Sequence, residues 1–184
     1  MKLRGWAIIA LAVVLEATLA PVIEAVQLRD GKIHFDYPPS FLGATTPDKS
    51  AGFWNATYYF TLELPENAGE PLQQVTIAQT EGLERLRFDP EKTVIFEGNP
   101  RNKGEEITEF TAEFERETRT VSVIFDPPIS PEKILTIGLK AARNPLGGGI
   151  YLFGVTVFPA GEEVQEQYLG FGRLRFYDDR DDSN

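Results

Sequence analysis

Residues 56–71 read ATYYFTLELPENAGEP and alternate in polarity over eight positions before a proline. Successive side chains of a β-strand point to opposite faces, so a period of two indicates a strand with one buried face. We expect the strand to end at Pro65, because proline has no amide hydrogen for the next bond of a sheet. The predicted buried face consists of Tyr58, Phe60, Leu62 and Leu64.

The same alternation recurs along the chain in short segments separated by Pro, Gly, Asn and Asp. Residues 80–88 fit either a short helix or a strand, and a hairpin is predicted around Glu117 and Thr118. Roughly eight or nine antiparallel strands indicate an all-β, two-sheet sandwich of Ig-like type, with a closed β-barrel as the alternative. The further predicted strands are 32–37, 73–79, 93–98, 109–115, 120–128, 133–141, 149–158 and 172–178.

Three consecutive glycines, residues 147–149, stand in the segment RNPLGGGIYLFGVTVFPAG, residues 143–161. A phosphate-binding P-loop requires Gly-Lys-Ser/Thr followed by a helix, whereas these glycines lead into a strand-like apolar run. We therefore interpret them as a turn after Asn144-Pro145. Both faces of residues 150–158 are apolar, which predicts a central strand that is covered on both sides.

The first 25 residues have the pattern of a signal peptide. A positive start is followed by GWAIIALAVVL, residues 5–15, an apolar run too short to span a bilayer. The sequence Ile23-Glu24-Ala25 predicts cleavage after Ala25, with Val26 as the first residue of the exported chain, and cleavage after Ala20 is the alternative. The expected location is the periplasm, the cell envelope or the extracellular space, and the mature chain is expected to have no membrane span.

The rest of the chain is predicted to fold as one domain. Residues 26–177 form the β-sandwich domain, and the acidic run that follows, residues 178–184, is interpreted as a disordered tail. No oligomeric state follows from the sequence.

Composition excludes several classes of function. The chain has 28 acidic and 18 basic residues, and a net charge of −10 repels nucleic acid. It contains no cysteine and a single histidine, His34, so clustered His or Cys metal ligands are absent and no cofactor is expected. His34 is expected on the polar face of the predicted strand 32–37, and the acidic tail lacks the residue spacing of a calcium loop.

Tyr59 is the one candidate ligand-binding residue. It is predicted to lie on the polar face of the strand 57–64, among Thr57, Thr61 and Glu63. A tyrosine at such a position serves either as a cross-strand packing residue or as a platform for sugar rings or a partner surface. Both interpretations stay open at this point.

Several motifs are similar to an uncharacterised family of exported cyanobacterial proteins, known only as a domain of unknown function. The similarity covers residues 27–177, and its motifs are structural, so it implies an exported domain and supplies no catalytic residue. The matching segments are 58–65, 67–71, 88–90, 144–145 and 148–161.

These observations favour a non-enzymatic module of the cell envelope or periplasm that binds a polymer or another exported protein. A β-sandwich supports many unrelated functions, so the fold alone does not choose among them. The alternative is a carboxylate-dependent hydrolase acting on envelope glycans, which requires two carboxylates facing each other across a cleft.

Overall fold

A computed structural model describes residues 31–178 of the 184-residue chain. Ten β-strands form two five-stranded antiparallel sheets, and no helix occurs among these residues. The predicted two-sheet sandwich is confirmed, whereas the alternative of a closed barrel is not formed. The predicted signal peptide, its cleavage site at Ala25 and Val26, and the tail beyond Asp178 lie outside the described residues.

The first sheet contains β1 (Ser40–Thr45), β2 (Thr57–Leu64), β4 (Phe88–Asn99), β5 (Asn102–Ile107) and β8 (Lys133–Ala141). Its strand order is β1-β2-β8-β4-β5. The second sheet contains β3 (Leu72–Glu81), β6 (Phe110–Glu115), β7 (Thr120–Ile129), β9 (Gly149–Pro159) and β10 (Gln167–Phe176), in the order β10-β9-β3-β7-β6. The predicted hairpin is confirmed, because Glu115 of β6 pairs with Thr120 of β7 across a four-residue turn.

The core lies between the two sheets and is rich in aromatic rings. The predicted inner face of β2 is confirmed, since all four of its apolar side chains are buried. Phe153 of β9 contacts rings from the opposite sheet, with its centroid 6.0 Å from Tyr58 and 5.5 Å from Phe60. Both pairs are edge-to-face, the geometry that aromatic quadrupoles favour.

The prediction of a strand at 32–37 is wrong. Ile33 forms one isolated bridge with Val164. Three residues later the backbone pairs with a different loop, since the Asp36 N–H donates to the Ala68 carbonyl (2.8 Å). Pro38-Pro39 follows, and neither proline has an amide hydrogen to continue a ladder. His34 is therefore a half-buried loop residue rather than a strand residue.

Two strands are present that the alternation does not predict. β1 contains a register shift between Phe41 and Gly43, which interrupts the period of two. β5 is an edge strand with almost wholly exposed side chains, so its sequence has no apolar face to recognise. The helix considered for residues 80–88 is not formed, because these residues comprise the end of β3, a loop and the start of β4.

β9 lies between β10 and β3, as expected for an interior strand. Its predicted coverage on both faces is wrong: Tyr151 and Phe153 are buried in the core, but Ile150 on the opposite face is 46% exposed. A sandwich has only two layers, so the outer face of each sheet meets solvent even where the residues are apolar.

Candidate functional site

Three loop segments extend the first sheet beyond one end of its strands. Residues 52–55 precede β2, residues 84–87 precede β4 and residues 142–144 follow β8. Backbone hydrogen bonds hold them side by side: the Asn144 N–H donates to the Phe53 carbonyl (2.8 Å) and the Ala142 N–H to the Arg87 carbonyl (3.0 Å). This arrangement positions Trp54, Arg87 and Arg143 on three neighbouring segments.

Asn144 fixes the loop that precedes β2. Its amide Nδ2 donates to the carbonyls of Asp48 and Ser50, both at 2.9 Å, and its Oδ1 accepts a hydrogen bond from the Tyr58 hydroxyl (2.8 Å). Burial raises the pKa of the Tyr58 hydroxyl far above its ordinary value, with a smaller contribution from Tyr151, so Tyr58 remains a proton donor in this pair. The loop conformation is thus coupled to the buried core.

The surface of these segments forms a groove of about 380 Å³, which we call the Trp54 groove. Trp54 is 68% exposed, and the Arg143 guanidinium lies over its ring at 5.6 Å. Arg85 and Arg87 are both exposed, because Leu86 between them points into the core. Within residues 31–178, none of the three arginines forms an ion pair or a hydrogen bond through its side chain.

Glu84 connects the glycine run to this groove. Glu84 also lines the groove, and its Oε1 accepts hydrogen bonds from the backbone N–H groups of Leu146 (2.6 Å) and Gly147 (3.0 Å). The Gly148 N–H donates in the same way to Asp178 Oδ1 (2.6 Å). Successive backbone N–H groups can bind an anion. In this loop they bind two carboxylates of the protein itself. The interpretation of the glycines as a turn before β9 agrees with this geometry.

Buried Gln79 holds the 84–87 segment from the opposite sheet. Its Oε1 accepts from the Leu86 N–H (2.9 Å) and its Nε2 donates to the Glu84 carbonyl (2.6 Å). Because both ends of the side-chain amide are bonded, the position of this segment is fixed by the second sheet. The arginines at 85 and 87 therefore extend from a constrained backbone.

The chemistry of the groove suits a ligand with negative charge and an apolar face. A guanidinium group binds carboxylates through paired, charge-assisted hydrogen bonds, and an exposed indole ring offers a flat apolar surface. The sequence indicates part of this site, because Arg85 and Arg87 alternate with Leu86 and Phe88. Their proximity to Trp54 and Arg143 depends on sheet topology, which the sequence pattern does not reveal.

Tyr59 lies on the outer face of the first sheet, away from the core. Its ring is 6.2 Å from Phe96 of β4 in an edge-to-face contact, and the Lys103 ammonium lies 5.5 Å from its centroid. Gly138 of β8 allows this packing, since a Cβ there would come within 3.0 Å of the Tyr59 ring. A ligand-binding role for Tyr59 stays a prediction.

Several carboxylates of the described residues lie together beside β5. A groove of about 250 Å³ beside β5 is lined by Glu97, Glu105, Glu106 and Glu109, and Glu97 is ion-paired with Lys133. Between residues 31 and 178, no group of three or more His, Asp or Glu side chains is arranged to hold a metal ion. The same residues contain no helix that is long and apolar enough to cross a bilayer.

Comparison with known proteins identifies a family and a fold. The family model described as "Protein of unknown function (DUF2808)" matches residues 32–176, and no curated protein sequence matches the chain. The N-terminal domain of the Streptococcus gordonii adhesin Sgo0707 is similar in structure (TM-score 0.50, 17% identity, 78% of this chain and 33% of that chain). So is BcpA*(D312A), the major pilin subunit of Bacillus cereus (TM-score 0.50, 12% identity, 77% and 40%). The chain thus spans less than half of either neighbour, and at these identities the similarity shows the fold alone.

Proposed function

We propose that this chain, which belongs to the DUF2808 family of proteins of unknown function, is an exported, non-enzymatic module of the cell envelope that binds an acidic polymer or protein at the Trp54 groove. The observation that carries the proposal is the cluster of three arginines without ionic partners beside a largely exposed tryptophan. On a chain of net charge −10, such a cluster is an unexpected concentration of positive charge.

The charge balance of this groove supports a binding role. Three arginines and one glutamate, Glu84, line it, and none of the arginines has an ion pair within the described residues. An acidic ligand supplies the missing counter-charges when it binds. Trp54 adds apolar contact area, and it is a residue type that is enriched at binding hot spots.

The proposed location rests on the N-terminal sequence. Lys2 and Arg4 followed by a short apolar run have the pattern of a signal peptide, with cleavage between Ala25 and Val26. N-terminal sequencing of the protein recovered from the periplasm or medium is expected to begin at Val26. Recovery of the chain only in the cytoplasm, with its N-terminus intact, would refute export.

Binding is tested by sedimentation of the purified protein with an isolated cell-envelope fraction. We expect the wild type to sediment with the envelope and the variant R85Q/R87Q/R143Q to lose most of this retention. The variant K92Q/R101Q/R116Q is the control, because it removes the same charge from exposed positions outside the Trp54 groove. Equal retention of the two variants would contradict the proposed site.

A further inference from the structure

A second basic groove lies on the other side of the loop that precedes β2. This groove of about 220 Å³ is lined by Lys49, Arg173 and Arg175, and we call it, together with the adjacent Tyr177 ring, the Tyr177 groove. All three basic residues are exposed, and their side chains form no ion pair within residues 31–178. The cluster comes from the loop and from the outer face of β10.

The two grooves share the same pair of chemical groups. In the Trp54 groove an arginine lies 5.6 Å from the ring of an exposed tryptophan. In the Tyr177 groove the Arg175 guanidinium lies 5.0 Å from the ring of Tyr177, which is 41% exposed. Each groove thus presents one flat ring and at least one guanidinium group that has no carboxylate partner in the described chain.

One loop joins the two grooves and fixes their separation. At its start the Lys49 carbonyl accepts from the Tyr177 N–H (2.9 Å), and the Ala51 N–H donates to the Tyr177 carbonyl (2.8 Å). At its end the Phe53 carbonyl accepts from Asn144, whose side chain also binds the loop at Ser50. Trp54 follows Lys49 by five positions, so the loop spans at most about 18 Å between these two residues.

We infer that the Trp54 groove and the Tyr177 groove are two subsites for one extended acidic polysaccharide of the uronic-acid type. This inference rests on the proposed function and names its ligand. Each residue of such a polymer has a sugar ring with an apolar face and one carboxylate, which match the exposed ring and the guanidinium group of each subsite. A repeated pair of groups on the protein fits a polymer with a repeating unit.

Charge and shape favour this polymer over other acidic partners. Nucleic acid has a higher charge density than a polyuronate, so the net charge of −10 opposes its approach more strongly. An acidic peptide supplies carboxylates, but it does not supply a ring face beside each one. The arginines at 85, 87, 173 and 175 are all exposed at the surface, where a chain can bind lengthwise.

Titration calorimetry with galacturonate trimer and dodecamer tests the inference. We expect the dodecamer to bind at least about tenfold more tightly than the trimer, because occupation of the second subsite is intramolecular. The variant R173Q/R175Q is expected to lose this gain with length while it still binds the trimer at the Trp54 groove. A neutral dextran oligomer and poly-glutamate serve as controls for charge and for the sugar ring.

The outcomes separate this inference from the proposed function. If R173Q/R175Q binds the dodecamer as tightly as the wild type, the second subsite is refuted and the proposed function stands. If poly-glutamate binds and galacturonate oligomers do not, the polysaccharide is refuted while an acidic partner at the Trp54 groove remains. If the wild type binds neither poly-glutamate nor galacturonate oligomers, and the variant R85Q/R87Q/R143Q still sediments with the envelope, both proposals fail.

Discussion

Asn144 connects the buried core to the proposed binding loop through a single side-chain amide. Tyr58→Phe removes the donor to its Oδ1 and leaves a buried acceptor unsatisfied. We expect the free energy of unfolding to fall by about 1–3 kcal/mol, the usual penalty for an orphaned buried polar group. Chemical denaturation measures this loss.

The control for that substitution is Tyr168→Phe at an exposed position of β10. The Tyr168 hydroxyl forms no hydrogen bond within the described residues, so the free energy of unfolding should change by no more than about 0.5 kcal/mol. If the two variants are equally stable, the Tyr58–Asn144 pair does not stabilise the loop.

Glu70 gives a second prediction for a single residue. It is 8% exposed, and desolvation, followed by repulsion from Asp36, raises the pKa of its carboxyl above the ordinary value. Because the pKa is higher in the folded state, the carboxyl of the unfolded chain loses its proton at a lower pH than that of the folded chain. The free energy of unfolding therefore falls as pH rises through the unfolded-state pKa. Below that pKa both states hold the proton, and the effect disappears.

Glu70→Gln should therefore raise the melting temperature at about pH 7.5 and change it little at about pH 3.5, where the carboxyl is mostly protonated in both states. Thermal unfolding at both values measures the difference, and Glu66→Gln is the matched control because Glu66 is exposed. The same increase at both pH values would show that the substitution acts by packing rather than by charge.

At the scale of elements, the contact between β1 and β10 closes one side of the sandwich. Gly172 of β10 makes this approach possible, because a Cβ at that position would lie 2.6 Å from the Ala44 Cβ and 3.1 Å from the Phe41 ring. Gly172→Ala is expected to cost about 1–3 kcal/mol, the range found for overpacked sites. Gly147→Ala is the control, since a Cβ there meets nothing within 4 Å.

Denaturant midpoints of the two glycine variants test this contact. We expect a clear loss of stability for Gly172→Ala and almost none for Gly147→Ala. Equal midpoints would mean that β1 moves away from β10 at little cost, so the edge is not a rigid part of the sandwich.

The strands that could be predicted from sequence are those that bury one alternating face. β2 and β7 show the period of two because every second side chain enters the core. β5 has no buried face, and the alternation in β1 is interrupted by a bulge. Neither strand therefore shows a period of two in its sequence. Residues 32–37 alternate in polarity but do not form a strand. Their backbone hydrogen bonds go to residues on two different loops instead of to one neighbouring strand.

At the scale of the whole molecule, basic residues concentrate around one loop of an acidic protein. The sequence shows the acidic balance but not this cluster, because its members are far apart in the chain, at residues 49, 85, 87, 143, 173 and 175. Only the order of strands in the two sheets brings them to the same end of the sandwich. Tyr59, the residue singled out by its polar strand face, lies instead on the outer face of the first sheet, in contact with Phe96 and Lys103.

The charge pattern predicts a salt-dependent affinity. Exposed charges are screened over about 10 Å at 0.1 M salt and about 3 Å at 1 M, so binding of an acidic polymer should weaken steadily as salt is added. We expect the affinity for galacturonate dodecamer to fall at least about tenfold between about 0.05 M and about 0.5 M sodium chloride. An affinity that does not change with salt would contradict binding by the arginines.

Binding of one polymer across both grooves can be mapped by an NMR titration of the isotope-labelled protein with galacturonate dodecamer, in which backbone amide shifts are followed. Binding across both grooves predicts shift changes concentrated at residues 48–55, 84–87, 142–147 and 173–177. The outer face around Tyr59 and the acidic groove beside β5 should remain unchanged. Changes confined to those two surfaces, or no change at any concentration of the oligomer, would contradict binding at the two grooves.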